Sequence, residues 1–464
     1  MQQKTSVTII GTGPVGCLMA ILLAKRGYTV DIYERYSKEK IVEKLSSRSY
    51  NITFFSRGIN ALKKAGLYDS VKQYFIPLTG TVAHPLYSVP TFHKYDTTKS
   101  QYVAVKRSSI LETFLNEIAS YPQVTVHFDT SLLSIDRYKK SFIVQNNKTK
   151  KISHIETSLI IGADGVHSEV RKSILEGQHA KFSQEYETWR YKQINVNIGM
   201  VEKLNMKKKI MHVWSRKEAL IALLPNEDDS YAGMLTLPSF DILDTPENIH
   251  AYFAENFPDL MANITHITAD LLANPEGRLV SIYTDPWYYE DFITLIGDAA
   301  HGALPFLGQG ITAGFEDCIA LASLIDKQNG DWKTILPLYQ EKRKRHGDVV
   351  VNQSQKMFSK FLRHTYADYE AIYDRVDFLI HGLFPNHWHP ALYMMFSSYS
   401  TYGFADILAM HKKQRRLSKM IGLSAIVWTF TQVLSVGEQS MNWFQWVSKK
   451  MRASLFIKKT PGLN

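Results

Sequence analysis

Short apolar runs and one longer apolar stretch alternate at the start of the chain. Residues 7–11, VTIIG, read as a buried strand, and residues 28–34, YTVDIYE, alternate at a period of two. Between them lies PVGCLMAILLAKRG at 14–27, which has the length and apolar content of a helix. A strand, a helix and a second strand in this order predict a parallel βαβ unit.

Period-two alternation continues in three later segments. VTVHF at 124–128, SLLSIDRY at 131–138 and SFIVQ at 141–145 predict a small antiparallel sheet. LIIGADG at 159–165 predicts another buried strand with a turn, and FITLIG at 292–297 is similar to it.

The pattern changes between about 180 and 280. Four strand-like segments, separated by Asp, Asn, Lys and Pro, predict a second, mostly antiparallel sheet: INVNIGMV at 194–201, KIMHVW at 209–214, LIALLPN at 220–226 and YAGMLTLP at 231–238. Beyond residue 330 the pattern is helical. One domain built from non-adjacent segments, interrupted by a second sheet, explains this order better than a row of independent domains.

Composition supports a folded protein in a reducing compartment. The chain has 464 residues, of which 45% are hydrophobic and 21% charged, as in globular proteins. Its two cysteines, Cys17 and Cys318, both lie in apolar helix-like segments, so a disulfide framework is not expected. No signal-peptide pattern precedes the first strand, and a cytoplasmic location is therefore predicted.

The formal net charge of +10 suggests an anionic partner, but the basic residues are mostly dispersed. No nucleic-acid-binding motif is visible, and no His and Cys spacing indicates a metal site. The densest basic cluster, HKKQRR at 411–416, precedes the apolar stretch at 420–434. That stretch is shorter than the ~20 residues of a spanning helix. It predicts either a helix packed on the protein or a peripheral helix on anionic lipid.

GTGPVG at 11–16 fits the G-x-G-x-x-G pattern of dinucleotide sites. It follows a strand and opens a helix, which is the context the pattern requires. Gly11 permits the tight turn, Gly13 lets the backbone approach a pyrophosphate, and Gly16 permits close packing of helix and strand. Glu34 ends the second strand, where its carboxylate can accept hydrogen bonds from a ribose and disfavours a 2′-phosphate.

Two further motifs indicate which dinucleotide binds. LIIGADGVHSEVRKSI at 159–174 and LIGDAAHGALPFLGQGITAGFEDC at 295–318 resemble motifs of the class A FAD-dependent aromatic monooxygenases. The resemblance implies an α/β fold, with a Rossmann-type FAD-binding domain, an inserted and mostly antiparallel substrate-domain sheet, and a C-terminal helical region. The domain boundaries expected are 1–75, 100–180 and 280–330 for FAD, 76–99 and 181–279 for substrate, and 331–464 for the helical region.

The resemblance also implies roles for individual residues. Asp298 would contact the ribityl chain, Pro305 and the backbone at 308–311 would line the flavin, and Arg48 and Arg107 would reach the FAD. The residues expected to bind the cofactor are Gly11, Gly13, Pro14, Val15, Gly16, Glu34, Arg35, Arg48, Arg107, Asp164, Asp298, Gly310 and Ile311. The residues expected at the catalytic centre are Pro305, Phe306, Gln309 and His301. For His301, a base and a histidine fixed by packing are both open.

Within this class the kynurenine 3-monooxygenase branch is similar over residues 5 to 420. The resemblance rests on RSYNITFFSRG at 48–58, HVWSR at 212–216, ALLPNEDDSYAGMLTLP at 222–238, FAENFPD at 253–259 and LYMMFSSYSTY at 392–402. It implies hydroxylation of a small aromatic substrate through a flavin hydroperoxide, with O2 and NADPH or NADH as co-substrates. A rival interpretation is an FAD-binding, membrane-associated protein without turnover. The oligomeric state is not predicted.

The chain departs from this branch where the substrate carboxylate should bind. In PLTGTVAH at 77–84, Thr79 and Thr81 stand where the branch has arginines. A threonine cannot form a bidentate charged contact, so an aromatic substrate without the usual carboxylate is predicted. Kynurenine itself stays open if Arg363 or His93 supplies a cation. The substrate-binding residues expected are Thr81, Tyr95, Phe306, Phe358, Leu362 and Tyr402.

Overall fold

The computed structural model describes residues 6–41, 51–95, 100–177, 179–204, 206–363, 369–385 and 387–434. For residues 362–363, 369–372, 374–375 and 421–434 it describes the backbone only. The chain divides into two compact units: the first is Met1–His364 with Ser397–Ala405, and the second is Thr365–Phe396 with Asp406–Asn464.

The strands, in chain order, are β1 Ser6–Ile10, β2 Thr29–Tyr33, β3 Ile52–Phe55, β4 Ile76–Pro77, β5 Gly80–Ala83, β6 Thr91–Lys94, β7 Tyr102–Val105, β8 Val124–His127, β9 Thr130–Asp136, β10 Ser141–Asn146, β11 Ile152–Glu156, β12 Leu159–Gly162, β13 Lys181–Val196, β14 Met211–Ser215, β15 Leu220–Pro225, β16 Tyr231–Leu237, β17 Gly277–Asp285, β18 Tyr288–Tyr289 and β19 Ile293–Leu295.

The α-helices are α1 Pro14–Ala24, α2 Ser56–Ala65, α3 Tyr68–Val71, α4 Arg107–Ile118, α5 Glu169–Leu175, α6 Ile198–Lys203, α7 Pro246–Asn256, α8 Ile264–Ala273, α9 Asp298–His301, α10 Gly310–Lys327, α11 Trp332–Arg363, α12 Tyr369–Leu383, α13 Leu392–Ser398 and α14 Phe404–Leu434. Short 3-10 helices occupy Lys72–Tyr74, Asp241–Leu243, Pro258–Asn263 and Pro305–Leu307.

A six-stranded sheet in the order β18-β19-β12-β1-β2-β8 carries the glycine motif. β1 pairs in parallel with β2 and with β12, and β12 pairs in parallel with β19. Strands from the start of the chain therefore lie beside strands from residues 159–162 and 293–295. This arrangement brings the three motif turns to the carboxyl edge of one sheet, where α/β folds bind their ligands.

A seven-stranded sheet in the order β17-β13-β16-β15-β14-β5-β6 forms the inserted, mostly antiparallel part of the fold. Only its β14–β5 pair is parallel among the described strands. β5 and β6 lie about a hundred residues before the rest of the sheet in the chain, yet they complete its edge. The fold class predicted from the sequence is confirmed. The domain boundaries stay a prediction.

Two local predictions are wrong. VTVH of 124–128 is β8, and it pairs in parallel with β2 at the edge of the six-stranded sheet rather than in the small antiparallel sheet. That small sheet consists of β9, β10 and β11. Alternation shows that a strand is half-buried but does not show which neighbour it pairs with.

The second error is INVNIGMV, which does not continue as a strand. β13 ends at Val196, and Asn197 accepts a hydrogen bond from the Met200 N–H to cap α6. The N-cap preference of asparagine decides this boundary, because it satisfies an N–H that the first helical turn leaves free.

The described residues beyond 331 are mostly helical, as predicted. The apolar stretch at 420–434 belongs to α14, and residues 435–464 of the predicted tail lie outside the described residues. Among the described helices, none is both long enough and apolar enough to cross a bilayer.

Candidate active site

The glycine turn between β1 and α1 has the shape needed to hold a pyrophosphate. Gly11 has a φ of +103°, and a Cβ there would lie 2.6 Å from the Ala163 carbonyl oxygen. A Cβ on Gly16 would lie 2.1 Å from the Gly11 oxygen. A Cβ on Gly13, in contrast, would meet nothing within 4 Å. The turn therefore packs tightly on its inner side and leaves open space where the backbone N–H groups begin α1.

Glu34 is fixed at the end of β2 on the other side of this turn. It is buried, and its Oε2 accepts hydrogen bonds from the Thr12 N–H and hydroxyl, both at 3.0 Å. Its Oε1 accepts from the Tyr36 N–H at 3.1 Å. Oε2 already accepts two hydrogen bonds, whereas Oε1 accepts one and keeps a second lone pair that a ribose hydroxyl could use. The neighbouring Arg35 side chain is exposed and lies over the Tyr36 ring.

The Gly-Asp turn after β19 packs directly on the glycine turn. Gly297 has a φ of +60°, and a Cβ there would lie 3.2 Å from Val15. The same valine leaves no room for a Cβ on Gly314 of α10, which would approach it to 2.6 Å. Asp298 is exposed and lies beside the start of α10, 3.9 Å from the Cβ position of Gly310. The structure thus brings Val15, Asp298 and Gly310 into one cradle.

Asp164 lies in the third turn, between β12 and α5. Its Oδ2 accepts hydrogen bonds from the N–H groups of Glu169 at 2.8 Å and Val170 at 3.3 Å. Its Oδ1 is buried and finds no partner in the described part of the chain. Burial raises the pKa of this carboxyl, against the lowering effect of these hydrogen bonds. A buried oxygen without a donor is costly, so the free Oδ1 fits a ligand that donates to it.

Gln309 shows the same feature more strongly. The side chain is 1% exposed, and neither its amide oxygen nor its amide nitrogen meets a partner among the described residues. The preceding Gly308 has a φ of +65° and lies so close to Thr53 that a Cβ would be 2.4 Å from its hydroxyl. Ile311 follows in the first turn of α10. An amide that is buried without hydrogen bonds indicates a ligand at this turn.

For the two arginines expected to reach FAD, the structure gives less information about their position relative to the three turns. Arg107 is exposed at the first position of α4, where its side chain is accessible to a ligand. Arg48 lies outside the described residues. The three turns, the open space at Gly13 and the unpartnered atoms of Asp164 and Gln309 together fit an FAD molecule lying across the sheet edge.

An aromatic cluster lies next to the 3-10 helix that begins at Pro305. Phe306 stacks on Phe358 with 4.6 Å between ring centroids and 12° between planes. Phe358 is 2% exposed and meets the edge of Trp189 at 5.6 Å. Leu304, Leu279 and Tyr191 complete this apolar cluster. The structure therefore brings together two of the residues predicted for the substrate, Phe306 and Phe358, from α11 and the loop before α10.

Thr81 on β5 and Tyr95, the residue directly after the adjacent strand β6, form a separate pair. Their hydroxyls share a hydrogen bond of 2.5 Å, and the Tyr95 ring stacks on Tyr102 at 4.5 Å. Burial raises the pKa of the Tyr95 phenol, although the bond to Thr81 opposes the shift. Both groups are therefore neutral at physiological pH and already satisfy each other.

Of the remaining substrate predictions, Tyr402 has a side chain that is 50% exposed, with its ring 6.3 Å from that of Tyr399. The side chains of Leu362 and Arg363 lie outside the described residues, and His93 is exposed on β6. Their roles stay predictions.

His301 lies in a buried ion network behind the Gly-Asp turn. It is 1% exposed, its Nε2 is 2.6 Å from Asp317 Oδ2, and that oxygen also accepts a hydrogen bond from the Gly297 N–H at 3.0 Å. Asp317 Oδ1 accepts from Arg343 Nε at 2.8 Å. The His301 ring packs against Trp287, with 5.1 Å between centroids.

The charges in this network set one another's ionisation. Burial lowers the pKa of His301, but the Asp317 carboxylate outweighs burial and raises it. Burial raises the pKa of Asp317, but the charges of His301 and Arg343 outweigh it and lower that pKa. His301 therefore favours an imidazolium paired with a carboxylate, which holds the turn in place and is poorly suited to accept a proton from a substrate.

Sequence reasoning missed three members of this network. Arg57 and Arg343 both pair with Glu316 on α10, and all three have side chains less than a fifth exposed. The available signal was the adjacent acids of FEDC inside an otherwise apolar helix, since buried acids need cationic partners. The sequence could not show which arginines supply them.

Comparison with known proteins agrees with this site. Residues 4–354 match the family described as FAD binding domain. Kynurenine 3-monooxygenase of Salinispora tropica is 30% identical over 428 residues, covering 91% of this chain and 94% of the relative. Kynurenine 3-monooxygenase of Legionella pneumophila (strain Corby) is 32% identical over 356 residues, covering 75% of this chain and 78% of the relative.

Solved structures share the fold at lower identity. The tetrameric form of 2-methyl-3-hydroxypyridine-5-carboxylic acid oxygenase superposes with a TM-score of 0.67 at 18% identity, covering 78% of this chain and 94% of that one. PqsL of Pseudomonas aeruginosa in complex with 2-aminobenzoylacetate gives 0.64 at 17% identity, covering 77% and 97%. The chain therefore belongs to the class A FAD-dependent aromatic monooxygenases, similar over most of its length to kynurenine 3-monooxygenase, with FAD as its cofactor.

Proposed function

We propose that the protein hydroxylates a small aromatic compound that lacks the amino-acid carboxylate of kynurenine. The observation that carries this proposal is the Thr81–Tyr95 pair, where two neutral hydroxyls hydrogen-bond each other at 2.5 Å. A carboxylate placed there would lose its hydration without gaining a cation, which is costly. A neutral amine or ketone on an aromatic ring would not carry that cost.

The aromatic cluster supports an aromatic substrate. Phe306 stacks on Phe358 beside the Pro305 turn. The resemblance to the kynurenine 3-monooxygenase branch implies an asparagine at position 358, so an apolar side chain there removes a second polar contact for an amino acid. Phe358 is buried, and the partly exposed Phe306 ring is the face that favours ring stacking.

The protein's own groups bind and orient, while the cofactor supplies the reactive chemistry. When bound, FAD would take up hydride from NADPH or NADH and deliver an oxygen atom derived from O2 to the substrate. The glycine turn and Glu34 would hold its pyrophosphate and adenosine ribose. The unpartnered Asp164 Oδ1 and Gln309 Oε1 would accept hydrogen bonds within the site, and Gln309 Nε2 would donate one. The apolar cluster would exclude water from the reacting ring.

The experiment compares Thr81→Arg with Thr91→Arg, which places the same charge at an exposed position of β6 outside the segment 77–84. We expect wild type to couple NAD(P)H oxidation to hydroxylation better with decarboxylated aryl amines or ketones than with kynurenine. Thr81→Arg should lower KM for kynurenine about tenfold, since a charged hydrogen bond is worth roughly 1.5–3 kcal/mol. Thr91→Arg should leave KM for kynurenine unchanged. Tightly coupled hydroxylation of kynurenine by wild type would contradict the proposal.

Hydroxylation of kynurenine itself is the second candidate, because relatives that cover 91% of this chain are named kynurenine 3-monooxygenase. It requires a cation other than one at Thr81, and His93 on β6 is one position that can be tested. His93→Ala would then raise KM for kynurenine and leave KM for a decarboxylated analogue unchanged.

We also propose a peripheral membrane contact through the second unit. One surface of α12 and the residue after it expose large apolar side chains: Phe378, Leu379, Leu383 and Phe384. In the same unit α14 exposes basic side chains: Lys412, Lys413, Arg416 and Lys419. Apolar and basic groups together suit anionic lipid.

Vesicle flotation tests this contact. The protein should rise through a density gradient together with vesicles that contain anionic lipid at low salt, and the double substitution Leu379→Asp with Leu383→Asp should abolish this co-flotation. Protein that stays at the bottom with anionic vesicles at low salt would contradict the contact.

A further inference from the structure

One segment of the first unit, Ser397–Ala405, returns to that unit between two stretches of the second. It carries Tyr402, which the family resemblance assigns to the substrate, and its contacts with the rest of the first unit are polar and specific. The question is what holds it in place.

Arg57 makes most of the charged contacts to this segment. The side chain is 2% exposed on the first turn of α2, and its Nη2 donates to the Tyr399 carbonyl oxygen at 2.7 Å and to the Tyr402 carbonyl oxygen. Its guanidinium lies over the Phe404 ring, 4.2 Å from the centroid. One turn later on the same helix face, Asn60 donates to the Ser400 hydroxyl at 2.7 Å. Planar donors on one helix face thus hold two backbone carbonyls of the segment, at Tyr399 and Tyr402, and one side chain between them.

The other side of Arg57 is tied to the flavin turn. Its Nη1 pairs with Glu316 Oε1 on α10, and Glu316 Oε2 accepts from Arg343 at 3.1 Å. Arg343 also pairs with Asp317, which holds the Gly297 N–H beside Asp298. The adjacent acids Glu316 and Asp317 therefore connect two walls of the site: Asp317 holds the Gly-Asp turn, and Glu316, through Arg57, holds the Tyr402 segment.

The segment also reaches the Thr81–Tyr95 pair. The Tyr102 hydroxyl lies 3.2 Å from the Ser398 hydroxyl, and Tyr102 stacks on Tyr95. The edge of Phe55 supports Tyr102 from the other side, with 5.7 Å between centroids. A shift of the segment would therefore displace Tyr102 and, with it, the hydroxyl pair that we propose faces the substrate.

We propose that Arg57 is a positioning residue, which with Glu316 fixes the Ser397–Ala405 segment so that Tyr402 and the Thr81–Tyr95 pair meet the substrate in one geometry. The substrate part of this inference rests on the proposed function; the structural part does not. In the described part of the chain, Arg57 donates hydrogen bonds to the Glu316 carboxylate and to the Tyr399 and Tyr402 carbonyl oxygens, so it acts through the backbone that it holds.

The test uses Arg57→Met, which keeps an apolar stem but removes the donors, and Arg57→Lys, which keeps the charge but loses the planar fork. Arg26→Met is the control, since it breaks an ion pair with Asp326 of 2.6 Å at an exposed position of the same unit. All three are prepared with FAD bound. Amide hydrogen exchange is measured without substrate, and KM, kcat and product formed per NAD(P)H are measured with an aromatic substrate.

We expect exchange at residues 399–405 to be about tenfold faster in Arg57→Met, intermediate in Arg57→Lys and unchanged in Arg26→Met. KM should rise about tenfold and product per NAD(P)H should fall, while kcat changes less, because binding geometry is what is lost. FAD content should stay at the wild-type level.

Two outcomes would overturn the inference. In the first, Arg57→Met exchanges like wild type at 399–405. In the second, it loses FAD or stability while the kinetics of each FAD-loaded molecule stay those of wild type, which indicates a structural role alone. If the exchange result holds but wild type hydroxylates no aromatic compound, the positioning contact is supported and the proposed function is wrong.

Discussion

The cofactor cradle and the proposed substrate side of this protein are built in different ways. The cradle depends on backbone: Gly11, Gly16 and Gly297 lie so close to other main-chain or valine atoms that a Cβ would collide or crowd. The side that we propose binds the substrate depends on side-chain pairs from separate segments, Phe306 with Phe358 and Thr81 with Tyr95. A site made from backbone admits few residue types, whereas a site made from side chains can change with one substitution.

The difference explains why the sequence predicts the cofactor but does not identify the substrate. The turn has no room for a Cβ at certain positions, so glycine is required there, and this requirement leaves a fixed spacing of glycines in the sequence. On the proposed substrate side, a threonine in place of an arginine would leave the fold intact and change which charge the pocket accepts. Four predictions test this contrast, in order of the expected loss in free energy of unfolding.

Gly16→Ala should have the largest effect. Its Cβ would lie 2.1 Å from the Gly11 carbonyl oxygen, and neither backbone can move without separating α1 from β1. We expect a loss of about 3 kcal/mol or more, even in protein free of FAD. Denaturant unfolding of the FAD-free form measures it, and wild-type stability would show that the cradle is more adaptable than its contacts indicate.

Phe358→Ala should come next, at about 3 kcal/mol, because a buried aromatic side chain is lost between Phe306 and Trp189. The variant should retain FAD, but a larger fraction of the NAD(P)H that it oxidises should yield hydrogen peroxide instead of hydroxylated product. Tyr138→Ala, at a position 85% exposed, is the control for loss of an aromatic ring and should change stability by less than about 0.5 kcal/mol. Normal coupling in Phe358→Ala would remove this residue from the substrate side.

His301→Asn should cost about 1–2 kcal/mol near pH 6 and less at high pH. The pKa of His301 is raised above its ordinary value of 6.5 by Asp317, so its contribution is complete below pH 6.5. That contribution is lost as the pH rises through the folded-state pKa. Unfolding curves from pH 6 to 9 should therefore converge for wild type and variant. A constant gap would show that the imidazole acts by packing rather than by charge.

Gly13→Ala should have the smallest effect on folding, under about 0.5 kcal/mol, because a Cβ there meets nothing within 4 Å. It should nevertheless weaken FAD binding about tenfold, since the methyl group would enter the space that a pyrophosphate needs. Flavin titration of the FAD-free protein measures this. Unchanged affinity would mean that the pyrophosphate does not approach Gly13.

Most of the fold followed from patterns along the chain. The βαβ unit, the inserted antiparallel sheet and the helical C-terminal part were predicted from periodicity and turn residues, because burial on one face dictates which residues are apolar. The pattern did not predict which strand pairs with β8. It also did not predict that β13 ends before Asn197, where a single capping hydrogen bond decides between strand and helix.

The sequence alone determined that a dinucleotide binds between β1 and α1, because Gly11, Gly13 and Gly16 satisfy local steric needs that few other residues meet. Only the tertiary structure decided how Glu316 and Asp317 divide their partners and how Arg57 reaches Tyr402, 345 positions away. Buried charges must be paired, but many arginines in a chain can meet that need. The folded geometry selects among them.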